Sequence, residues 1–192
     1  MDTYHVVLYI HFLSLFVGIG AGAILVLCLF QLKAATTLVD AIPWGRISEK
    51  TARAFPIAIL GLFGTGAYMT SDVWTWSTGW IDVGIAALVV LAVQGPAAGT
   101  YFGKKIQHAL RENGRGPLGA NARQAARPLG LWAAEFSNFG LVFGIVWNMT
   151  TKPGTGSAIA AAIGGYVIGG LIGVVLSRTG SAEVAPATEP AA

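Results

Sequence analysis

Apolar residues run along this chain in long unbroken blocks instead of alternating with polar ones. Five blocks, over residues 6–32, 54–70, 80–102, 129–150 and 157–176, approach or exceed the length a helix needs to cross a bilayer. That length is about 20 residues for roughly 30 Å of hydrocarbon. Each block predicts a spanning α-helix, because a segment in lipid must satisfy its backbone hydrogen bonds internally. The first block is long enough to tilt, and the second sits near the lower length limit. The connections at 33–53, 72–78, 103–127 and 151–156 read as loops. Residues 179–192, rich in Ser, Ala, Pro and Glu, read as a disordered tail. The expected fold is an all-α integral membrane protein. A four-helix transmembrane bundle occupies 1–153, and a fifth, Gly-rich transmembrane helix occupies 154–178.

Composition agrees. The chain is 54% hydrophobic and 11% charged, against about 25% charged in a soluble domain that must face water. A lone cysteine, Cys28, excludes an intramolecular disulfide and any CxxC motif. The chain opens Met1-Asp2-Thr3-Tyr4, with an acid where a secretory signal carries positive charge, so the first block is expected to remain as an anchor. A net charge of +3 does not imply nucleic-acid binding, because the basic residues sit between apolar blocks where membrane topology places them.

Their distribution predicts orientation. The first connection carries Lys33, Arg46, Lys50 and Arg53, and the third carries Lys104, Lys105, Arg111, Arg115, Arg123 and Arg127. The second has no Lys or Arg, and the fourth has only Lys152. The positive-inside rule then puts the amino terminus outside and the carboxyl terminus in the cytoplasm of a bacterial inner membrane. Trp74, Trp76, Trp80 and Trp147 fall together at the outer interface, as an aromatic belt does. The basic loop at 103–127 reads as a topology determinant near anionic headgroups.

Polar residues inside the blocks are few, and each one needs a reason. His11 lies about two turns into the first helix, with Ser14, Leu15, Gly18 and Gly22 on the same face. Such a small-residue face points toward other helices. A buried imidazole there can hydrogen-bond a neighbour, relay a proton, or ligate haem iron or copper. Met69 and Met149 close the second and fourth helices at the same outer end, and His5 opens the first. Together they make a candidate soft-metal or haem environment. His5 and His11 lie about 120° apart around the helix, so they do not share a face. Glu135 lies about two turns into the fourth helix, with Asn138, Val142 and Met149 on nearly its face. At that depth it is expected to pair with a cation such as Lys33, Arg53 or Lys104, or to serve a proton relay. At its nominal depth it belongs to the leaflet opposite His11. Gly95-Pro96 predicts a kink in the third helix. Ala161, Gly165, Gly169 and Gly173 form a small-residue stripe on the fifth helix, suited to packing within the chain, a second copy or a partner subunit. Walker, GxSxG and HExxH motifs are absent, and Gly18-x-Gly20-x-Gly22 lies within an apolar span with no strand before it. No catalytic motif therefore argues for an enzyme.

The segment Leu8-Tyr9-Ile10-His11-Phe12 through Gly18-Ile19-Gly20 resembles the first helix of the bacterial copper-resistance protein D membrane domain. It is similar also to a group of small bacterial integral membrane proteins of uncharacterised function. The run from Leu60 to Tyr68, Trp80 opening the third helix, and Lys152-Pro153 closing the fourth fit the same pattern. The resemblance spans roughly residues 4–153 and implies a four-helix membrane core in which helix-borne histidines handle copper or haem. Only His11 carries over. The fifth helix is an addition, and the absence of a second well-buried histidine disfavours bis-histidine haem. Three functions remain open: a redox or metal-handling protein holding haem b or copper near His11, a small-solute or metal-ion transporter, and a structural or assembly subunit.

Overall fold

The computed structural model describes residues 2–113 and 116–179, and seven helices account for nearly all of them. They are α1 (Thr3–Ala34), α2 (Leu38–Ala52), α3 (Ala54–Val73), α4 (Gly79–Glu112), α5 (Ala120–Ala125), α6 (Leu129–Thr151) and α7 (Thr155–Arg178). Five helical stretches are long and apolar enough to cross a membrane: α1, α2 with α3, α4, α5 with α6, and α7. Large apolar side chains such as Phe16, Leu60, Phe143 and Leu171 stand more than 60% exposed on the outside of the bundle. Water would penalise that surface, whereas lipid does not.

The spanning helices alternate in direction, and their register is read from close contacts. Along α1 and α3, Gly18 meets Ala58, Ser14 meets Gly61, and His11 meets Gly66, so the two helices run antiparallel. Along α1 and α6, Gly22 meets the Phe139 ring, and Phe30 meets Trp132 edge-to-face at 4.8 Å between ring centres. Between α4 and α6, Phe102 lies against Gly130, and Gln94 Nε2 donates to the Ala134 carbonyl at 3.4 Å.

The stripe on α7 is spent within the chain. A Cβ at Gly165 would run into the Gly140 carbonyl, one at Gly169 into that of Phe136, and one at Gly173 into that of Trp132. Gly144 lies against the Ala161 backbone. Of the three uses left open for Ala161, Gly165, Gly169 and Gly173, this backbone-to-backbone seam is packing within the chain. The stripe faces α6, which fills it. Fully buried Asn148 reinforces the pair by donating from Nδ2 to the Ala158 carbonyl at 3.0 Å. Lys152, in the left-handed conformation (φ 49°), ends α6 and turns the chain into α7. Its ammonium lies 4.6 Å from the centre of the Trp74 ring, which itself packs edge-on against Trp80.

The two basic connections are structured, which the hydropathy blocks did not anticipate. Thr37 and Asp40 form a capping box: the Asp40 N–H donates to the Thr37 hydroxyl at 3.2 Å, and the Thr37 N–H donates to the Asp40 carboxylate at 3.1 Å. That nucleates α2 inside the predicted loop. Helix α4 runs to Glu112, past the end of its apolar block, because Ile106 and Leu110 recur at four-residue spacing and bury one face. The Leu118 N–H donates to the Thr36 carbonyl at 2.8 Å, joining the connections to each other. Leu32, Ala41, Ile106, Leu118, Ala122 and Trp132 share one apolar cluster beneath them. We refer to this end as the cap. Among the described residues every Lys and Arg except Lys152 lies at the cap end. Apart from Thr179, the predicted tail falls outside the described residues.

Candidate functional site

His11 is buried, 6% exposed, between α1 and α3. Its Nδ1 lies 2.8 Å from the Thr65 hydroxyl oxygen, and that hydroxyl donates to the Gly61 carbonyl at 2.5 Å. A hydroxyl has a single hydrogen. Assigning it to Gly61 makes Thr65 an acceptor toward the ring, and in that assignment Nδ1 carries the proton. In the neutral ring the lone pair therefore sits on Nε2. This is the arrangement by which an outer hydrogen bond orients a metal-ligating histidine.

The space around the ring is shaped by small residues. Ser14 seats against Gly61, and Gly18 against Ala58, so the α1–α3 seam is closed below His11. Gly66 lies beside the ring edge, where a Cβ would stand at ordinary contact distance, 3.6 Å from His11 Cε1.

The other predicted donors are placed unequally. Met149 is half-buried. It lies ten residues beyond Phe139, as His11 lies eleven before Gly22, so the antiparallel register sets the two at one level. On α6 Met149 falls between the side bearing Phe139, which faces α1, and the side bearing Asn138, which faces α4. By helix geometry it lies about 20° from Asn138 and about 80° from Phe139, so it is nearer the α4 side than the α1 side. Met69, also half-buried, is one turn beyond Thr65 on the same face of α3. His5 is not brought to the site. It is exposed at the start of α1, 3.7 Å from Asp2. His108 is likewise exposed beside Glu112 on α4. Among the described residues, no group of three or more His, Cys, Asp and Glu side chains is arranged to hold a metal ion.

Glu135 is 7% exposed on α6. Its expected pairing with Lys33, Arg53 or Lys104 is not made. Lys33 donates to the Leu176 carbonyl at 2.6 Å and to that of Thr179, and its ammonium sits over the Trp132 ring. Arg53 reaches Glu49 on its own helix. The carbonyls at the end of α7 outcompete the carboxylate because a helix C-terminus offers several unpaired acceptors within reach of Lys33. His11 and Glu135 are separated along the bundle by on the order of 22 Å, counted through the Gly22–Phe139 level at 1.5 Å per residue. No direct couple joins them.

Thr65 is the site residue that the sequence reading missed. So are Gln94 and Tyr166, linked by a 2.6 Å hydrogen bond from the Tyr166 hydroxyl to Gln94 Oε1. The available signal for Thr65 was its place in a glycine-rich run, one turn after Gly61 on the same helix face. No protein-family model, characterised protein or solved structure matches the chain.

Proposed function

We propose that the protein is a multi-pass protein of a bacterial inner membrane that holds copper, or haem b, at His11 in a metal-handling or redox role. The observation that carries this reading is the 2.8 Å contact of the buried His11 Nδ1 with the Thr65 hydroxyl; assigned as Nδ1–H donating, it leaves the Nε2 lone pair to act as ligand. Helix counting puts two thioethers, Met149 and Met69, near its level, and this supports the reading. One imidazole with thioethers is a soft set that suits Cu(I). It suits bis-histidine haem poorly, since the other two histidines are exposed. Copper is accordingly the preferred occupant, with His11 and Met149 as its principal ligands and Met69 as an accessory one. His5 would serve at most as an entry ligand at the surface.

The resemblance to the copper-resistance protein D membrane domain points the same way. The positive-inside rule puts the cap in the cytoplasm and the amino terminus outside, which sets His11 in the outer leaflet. Without a catalytic motif, we read the chain as a binding protein that does not act as an enzyme on its own. The assembly-subunit reading loses its expected surface, because the α7 stripe is occupied by α6.

Metal analysis and an optical spectrum of the detergent-purified protein, wild type beside His11→Ala, test this. Stoichiometric copper, or a Soret band, is expected in wild type and lost in the variant while membrane insertion is retained. A wild type free of both, or an occupant that persists in His11→Ala, overturns the assignment.

A further inference from the structure

We propose that Glu135 and Asn138 form a proton-binding site inside the bundle, where the carboxyl carries a proton and shares it with the amide oxygen. Glu135 makes no hydrogen bond or ion pair among the described residues and is 93% buried by its 7% exposure. Asn138 lies three residues on, on the same face of α6, and its Oδ1 is buried with no donor. The Glu135 carboxyl and Asn138 Oδ1 lie one turn apart on a helix face turned toward α1 and α4, and no other described side chain donates to either. A hydrogen on the carboxyl would supply the donor that Asn138 Oδ1 lacks.

The neighbouring groups supply no alternative. On α1, Lys33 is committed to the carbonyls of Leu176 and Thr179, and Cys28 is a buried free thiol. Arg127, from the connection before α6, donates to the Lys33 carbonyl at 3.0 Å. On α7, the Tyr166 hydroxyl gives its hydrogen to Gln94. The stretch of α4 packed on α6, from Gln94 to Phe102, has no ionisable side chain apart from Tyr101, which is exposed on the outer side. An ionised carboxylate left alone in such surroundings is far costlier than the neutral acid. Loading the site adds one proton to the carboxylate, the new O–H points at Asn138 Oδ1, and release reverses it with no other bond changed. The site stands apart from His11 in the opposite half of the bundle, so it does not depend on the copper reading.

The test is an infrared difference spectrum of the full chain, reconstituted in lipid without added metal at neutral pH. A protonated-carboxyl C=O band is expected in wild type, absent in Glu135→Gln and displaced to higher frequency in Asn138→Leu. Wild-type protein grown on carboxyl-labelled glutamate, which needs no substitution, should show the band shifted by the isotope. A wild type without the band, a band that survives Glu135→Gln or ignores the label, or a band unmoved by Asn138→Leu overturns the proposal.

Discussion

A histidine in an apolar helix is a strong feature for the reader of a sequence and an ambiguous one for the chemist. Its role depends on what holds its other nitrogen. Here Thr65 does that, and the consequence belongs to this one residue. Thr65→Val keeps the shape and removes the acceptor for Nδ1–H. Loss of such an outer hydrogen bond costs about 10–100-fold in metal affinity, so that loss is expected for Cu(I) in a chelator competition, with Thr65→Ser close to wild type. An affinity unchanged in Thr65→Val would mean that the hydroxyl does not orient the ring. His11 was legible because so few polar groups interrupt its block. Thr65 was not, because a threonine within a helix commonly satisfies itself on its own backbone. It does so here with Gly61, and its second role exists only once α1 is laid beside α3.

Among the elements, the α6–α7 pair shows how far a pattern can be read. The four-residue recurrence of small residues announced a close seam, but no periodicity says which helix lies across it. The answer came from α6, where Gly140 and Gly144 supply the matching hollow. Gly169→Val would drive a branched side chain into the Phe136 carbonyl. Overpacking of this kind costs about 1–3 kcal/mol, to be seen as a lowered thermal midpoint in detergent. Gly164→Val, where a Cβ meets nothing within 4 Å, should leave the midpoint in place. Equal effects of the two would contradict the seam. Helix α2 and the far end of α4 escaped the reading for a different reason. Both are amphipathic, and average hydropathy fades where one face is charged. The Thr37–Asp40 box and the Ile106–Leu110 spacing were their available signals.

At the scale of the whole molecule, charge and packing converge on one end. The two basic connections serve as more than topology markers, because they fold together on the apolar cluster around Trp132 and close the bundle. The proposed orientation rests on that asymmetry and can be read directly. In a Cys28→Ser background, Ser77→Cys should react with a membrane-impermeant maleimide on intact cells, and Gln107→Cys only after permeabilisation. The reverse pattern would invert the topology and move His11 to the cytoplasmic half. The five spans were legible because lipid demands long apolar blocks, whereas the partner of each polar group was not, since that depends on contacts between helices. The claim that joins these scales is that the bundle presents one oriented imidazole to a soft metal. Titrating Cu(I) into metal-stripped wild type, His11→Ala and Met149→Leu addresses it most directly. One tightly bound ion in wild type, none in His11→Ala and weakened binding in Met149→Leu is the expected result. Equal binding by wild type and His11→Ala, or none by either, would contradict it.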